Sequence, residues 1–177
     1  VFMQTNPLYL NVEYAKAHGF PDLPASPQMV FNVVLSLGVQ NDSEKAIANL
    51  GYYNVQFLRP VYPGDTLRSY TRVMDRKTRG EGQPGIVLIR TLGVNQHHQV
   101  VLQYERKIMV DWRGSRLPTT PAPNIPVEFP WVEHPVVELP VGGGPFPTEL
   151  TGPNTCFEDF SLGDLIVHAN GRTITDE

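Results

Sequence analysis

A chain of 177 residues has room for one ordinary domain plus a long appendage, and not for two complete large ones. Its 41% hydrophobic and 10% aromatic content supplies a packed core, and a net charge of -4 from 14 basic and 18 acidic residues, without a long run of either sign, excludes a nucleic-acid arm. One cysteine, Cys156, rules out an internal disulfide framework and a multi-cysteine zinc site, and no apolar run is long enough for a membrane span. A metal-free protein of the cytoplasm, bound to neither membrane nor nucleic acid, is expected.

Asn11 to His18, followed by Gly19, reads as a short helix with glycine just past its end. Ser26-Pro27 then marks a second start: a hydroxyl able to accept an amide, and proline where no amide partner is needed. The run from Gln28 to Leu37 is apolar on almost every side and predicts a central helix wrapped by other structure, ending near Gly38. Asp42 or Ser43 is placed to cap a further short helix through Asn49, stopped by Gly51.

From Tyr52 the texture is that of strands. Segments 52–59, 66–76, 85–95 and 99–110 are rich in β-branched and aromatic residues and separated by Pro and Gly, which predicts an antiparallel meander. In the last strand Val101, Gln103, Glu105 and Lys107 share one face while Leu102, Tyr104 and Arg106 share the other, so both faces carry polar groups.

Residues 111–156 hold 10 of the 17 prolines and Gly142-Gly143-Gly144, which predicts an extended connector docked through Trp112, Phe129, Trp131 and Phe146. A ligand for an SH3- or WW-type partner competes poorly with those aromatics. Globular texture returns at Phe157, and residues 157–177 read as the opening of a second domain. Val1 in place of methionine and a helix-start signal at Thr175, with no helix following, suggest a fragment.

Pattern alone leaves several α+β folds open. The segments NPLYLNVEYA (6–15) and RPVYPGDTL (59–67), in that order and spacing, resemble the MaoC-like (R)-specific enoyl-CoA hydratase/dehydratase family. YNVQFLRPVYPGDTL followed by GIVLIRTLGVNQ is most similar to its double-hotdog members, the mesaconyl-CoA hydratases (β-methylmalyl-CoA dehydratases). The resemblance implies a hotdog fold, an antiparallel sheet wrapped around a central helix. It places a degenerate repeat lacking its own first strand at 1–110, a linker at 111–156 and the start of a second repeat at 157–177. It also implies an acyl-CoA substrate, no cofactor beyond that thioester, a second hotdog repeat in the same polypeptide, and a homo-oligomer.

Adding water to an unsaturated thioester needs a base for the water, an acid for the α-carbon and donors at the thioester oxygen. In the family an Asp and a His of a D-x-N-P-L-H motif handle water and proton, an Asn orients them, and a glycine amide at the start of the central helix supplies a donor. Here the motif reads Gln4-Thr5-Asn6-Pro7-Leu8-Tyr9: Gln4 stands at the acidic position, Tyr9 at the histidine, and only Asn6 is kept. Ser26-Pro27 replaces the family's His-Gly, and proline has no N–H to offer. The motif positions Gln4, Asn6 and Tyr9 therefore carry no confident catalytic assignment. The catalytic pair is expected downstream of Glu177, and this repeat shapes the substrate cavity.

Ser26 and Gln28 at the helix start are candidate substrate contacts. Residues 59–116 hold 11 basic and 5 acidic side chains, and Arg76, Lys77 and Arg79 near a strand-edge turn are the candidates for coenzyme A phosphates. The plainer reading leaves those arginines in water. His18 reads as a helix-end cation, His97-His98 as a solvated turn, Asp65 as a turn former and Cys156 as inert. Two rivals remain: a hotdog acyl-CoA thioesterase, and a non-catalytic acyl-binding or assembly module.

Overall fold

The computed structural model describes residues 5–112, 130–137 and 157–166. The chain divides into two compact units, residues 1–26 with 140–177, and residues 27–139.

In the first unit two asparagines start two short elements. The Asn6 carboxamide accepts from the Leu8 amide at 2.9 Å and opens a single 3-10 turn, Pro7–Tyr9. The Asn11 carboxamide accepts from Glu13 and Tyr14, both at 3.0 Å, and opens α1, Val12–Ala17. Asparagine suits this position because its side-chain oxygen replaces the missing intrahelical acceptor. The helix closes as expected: Gly19 takes φ +85°, and the Phe20 amide returns to the Ala15 carbonyl at 3.1 Å. Later in this unit Phe157–Asp159 forms one 3-10 turn, followed by a polar turn in which the Ser161 amide donates to Asp164 at 2.7 Å.

The second unit holds α2 (Pro27–Asp42) and four strands, β1 (Ala46–Phe57), β2 (Arg68–Lys77), β3 (Gly85–Val94) and β4 (Val100–Val110), in one antiparallel sheet of order β1-β4-β3-β2. Strands β2 to β4 form the expected meander. β1 departs from it by pairing with the far side of β4, so β1 and β2 are the two edges. The short helix expected through Asn49 is absent. Instead α2 runs through Gly38 to Asp42, and Ala46 already pairs with Val110. Tertiary pairing overrides the cap signal there, because β4 pairs with residues from Ala46 to Phe57, through three irregularities in register.

α2 lies on one face of the sheet. Val30 and Val34 are buried, and Phe31 packs on Tyr52 and Tyr104 with ring centroids 5.1 Å apart in both cases. The expected wrapping is met on one side only: Met29, Val33 and Leu37, four residues apart along the helix, stay exposed. The opposite face of the sheet is covered by residues 130–137. There the buried Gln103 carboxamide accepts from the Val132 amide at 3.2 Å and donates to the Val132 carbonyl at 2.7 Å and to Gln56 at 2.6 Å. Trp131 packs on Leu58, Leu92, Val94 and Val100 and lies 4.5 Å under the Arg90 guanidinium. This part of the proline-rich connector is docked through Trp131, as expected, whereas Trp112, also expected to dock, stays exposed at the end of β4. Phe129, Phe146, Cys156 and residues 167–177 lie outside the described residues.

Two covered faces account for the mixed polarity of β4. Arg106, on the α2 side, donates to Ser43 at 3.0 Å and Asn49 at 3.3 Å and stands 3.9 Å from Asp42. Glu105, on the other side, accepts from Arg90 at 2.7 Å. A buried charge is tolerated when paired and hydrogen-bonded, and both are.

Candidate functional site

The motif region holds the question of chemistry, and its described residues hold no acid–base couple. Asn6 spends its side-chain oxygen on the Leu8 amide. Tyr9 closes the same turn half-buried, and burial pushes its phenol above the ordinary tyrosine value, so it stays protonated at neutral pH. His18 is placed at the end of α1, as expected: its Nδ1 lies 2.8 Å from the Tyr14 carbonyl and its ring stacks on Tyr14 at 4.1 Å. The two carboxylates close to it in sequence are engaged elsewhere, Glu13 with Lys16 at 3.6 Å and Asp22 with the Leu23 amide at 2.7 Å. Gln4 lies outside the described residues, and as a carboxamide it has no basic lone pair to offer.

At the start of α2, Ser26 is buried and Gln28 exposed. Pro27 occupies the first helical position, so the amide that would face an oxyanion there does not exist.

The PGDT turn is built by its aspartate. Asp65 accepts from the Tyr62 amide at 2.9 Å and from the Gln96 carboxamide at 2.6 Å, tying two loops together. Those two hydrogen bonds, the Gln96 one first, hold its carboxyl below the usual aspartate value. The His97-His98 turn is organised by Asn95, whose side chain accepts from the His97 and Gln99 amides at 3.0 Å, while both histidines are exposed. Among the described residues no three His, Cys, Asp or Glu side chains cluster at metal distance, and no helix is long and apolar enough to cross a membrane.

The basic candidates lie where β2 ends. Arg76 pairs with Val87 and Lys77 with Ile86 across the ladder, so the two neighbours point to opposite faces of the sheet. Arg79 follows in the turn and donates to the Met109 sulfur at 3.8 Å. All three are exposed, and the register spreads them around the strand end without gathering them into one cluster.

The family model for mesaconyl-CoA hydratase matches residues 2–120. The chain belongs to this family. Within it, a mesaconyl-CoA hydratase from Cereibacter sphaeroides is 36% identical over 166 residues, covering 93% of this chain and 48% of the relative. A β-methylmalyl-CoA dehydratase from Chloroflexus aurantiacus is 34% identical over 165 residues, covering 92% and 47%. The chain thus spans about half the length of the curated relatives it matches. Among solved structures, a MaoC-domain dehydratase from Chloroflexus aurantiacus is similar with TM-score 0.66 and 31% identity, over 89% of this chain and 45% of that one. A double-hotdog protein from Mycobacterium tuberculosis, 24% identical with TM-score 0.58 over 65% of this chain and 36% of that one, supports the same fold. The hotdog arrangement expected from the sequence is therefore established: an α+β fold with one helix on an antiparallel sheet.

Sequence reasoning read Asp42 and Ser43 as a cap and missed that both meet Arg106 at the far end of α2. The signal was present in the parity of β4, which put an arginine on the helix face.

Proposed function

We propose that this chain is the substrate-shaping repeat of an acyl-CoA hydro-lyase, adding or removing water at an α,β-unsaturated thioester of the mesaconyl-CoA or β-methylmalyl-CoA type. The observation that carries the reading is the 36% identity to a mesaconyl-CoA hydratase across 93% of the chain. In this reading the water-activating carboxylate and the proton-donating imidazole belong to a second hotdog repeat of the same polypeptide. Two considerations support that division. The resemblance puts Gln4, Tyr9 and Pro27 where the family's Asp, His and Gly are expected. The chain covers 48% of the relative's length, which leaves room for a second copy of the fold.

The open stripe of Met29, Val33 and Leu37 on α2 suits a second repeat, because a helix apolar on two sides is otherwise left half in water. The edges β1 and β2, unpaired by any further strand among the described residues, suit a homo-oligomer in the same way. Arg76, Lys77 and Arg79, spread around the end of β2, would attract coenzyme A phosphates by their summed charge and not as one pocket, while Ser26 and Gln28 would border the thioester end. The reaction needs no cofactor beyond the coenzyme A thioester itself, and the protein works in the cytoplasm.

Calorimetric titration of coenzyme A into the intact protein, repeated with Arg76, Lys77 and Arg79 all changed to Ala, tests the reading. Binding weakened at least tenfold by the triple change is expected. No heat with the unaltered protein points to a purely structural module, and thiol release from acyl-CoA without hydration points to a thioesterase.

A further inference from the structure

Residues 131–133 lie on the outer face of the sheet as a peptide lies in a binding site. The buried Gln103 carboxamide takes both backbone groups of one residue, accepting from the Val132 amide at 3.2 Å and donating to its carbonyl at 2.7 Å. Gln56 fixes its orientation at 2.6 Å. Such contacts read backbone and leave the side chain of that residue free, so selectivity falls to its two neighbours. Trp131 packs on the apolar cluster around Leu92, and the Arg90 guanidinium lies 4.5 Å over its ring while pairing with Glu133 at 3.5 Å. Arg90 is held from behind: Glu105 accepts from its Nε at 2.7 Å and accepts again from Asn54 at 2.8 Å. The sheet thus presents a supported site for an aromatic and an acidic residue two positions apart.

Beyond these three residues the hold is slight, since Val136 and Val137 stay 83% and 43% exposed. A segment docked by so few contacts opens without unfolding the sheet beneath it. What covers Gln103 on this face is the segment itself, and its lifting leaves the site open to the same sequence from another molecule. Residues 113–129, which join it to β4, reach about 60 Å at full extension. An eleven-residue strand such as β4 is about 37 Å long. We infer that the outer face of the sheet is a recognition site for an aromatic-x-acidic segment, and that two copies of this chain associate by exchanging residues 131–133. The site lies on the face away from α2 and does not rest on the hydratase reading.

The test uses the full chain and a peptide of residues 129–135. Trp131→Ala releases the chain's own segment, and Glu133→Lys, at an exposed position, weakens it without touching the core. Saturable NMR shifts at Gln56, Arg90 and Gln103 are expected, with the peptide bound about tenfold tighter by the first variant and about threefold tighter by the second than by the unaltered chain. Exchange between copies is read from Trp131 emission in a Gln103→Leu chain, which should move to shorter wavelength when excess Trp131→Ala chain supplies an open site. No saturable shifts in either variant, equal affinity for the unaltered chain, or peptide binding without the emission change overturns the proposal.

Discussion

Val34 on α2 meets Gly93 on β3 so closely that a β-carbon on Gly93 would stand 2.6 Å from Cγ2 of Val34 and 3.2 Å from Cγ1. The helix reaches the sheet here because position 93 has no side chain. Gly93→Ala should therefore cost about 1–3 kcal/mol by overpacking. Denaturant unfolding checks this, and a Gly93→Ala, Val34→Ala pair should lose less than the two single changes added together.

Gln103 anchors residues 130–137 through both atoms of its carboxamide. Gln103→Leu keeps the volume and leaves the Val132 amide and carbonyl without their protein partner, a loss of about 1–3 kcal/mol. Amide exchange at Val132 should accelerate at least tenfold while exchange at Ile89 and Leu92, deep in the sheet, changes little. Equal acceleration at all three sites would mean that Gln103 supports the whole sheet and not the strap.

Burial pushes the Tyr104 phenol up to about 12. The folded value lies above the unfolded one of about 10, so the neutral phenol's contribution is fully present below pH 10 and is lost as pH rises from 10 towards 12. Ultraviolet titration should show one tyrosine ionising late, and Tyr104→Phe should remove that late step and flatten the alkaline fall in stability.

For Asp65 the sign is opposite. Its folded value is held down by Gln96 first and the Tyr62 amide second. The contribution is present above the unfolded value of about 4 and fades as pH falls through the lowered folded value. Carboxyl NMR should place Asp65 below an ordinary aspartate, and Gln96→Ala should return it towards 4.

Local chemistry made much of this fold readable. Asn11 with Gly19, and Pro27 at a helix start, are signals that act within a few residues, and the structure kept all of them. Three of the four strands were placed to within about two residues by their β-branched content. The misreadings have a common origin in distance along the chain. Asp42 and Ser43 look like a cap until Arg106, more than sixty residues later, claims the Ser43 hydroxyl. The position of β1 depends on a ladder with β4 that no local window contains. At the motif, Gln4, Tyr9 and Pro27 are legible as a carboxamide, a phenol and an imino acid without an N–H, whereas the meeting of Asp42 and Ser43 with Arg106 exists only after the sheet has formed.

In the proposed division this repeat handles no protons of its own. The most direct test is the rate of mesaconyl-CoA hydration by purified residues 1–177, with and without a polypeptide carrying the second repeat. No turnover by the chain alone and activity on combining the two are expected. Turnover by residues 1–177 alone, abolished by a substitution within them, would place the proton-handling groups in this repeat.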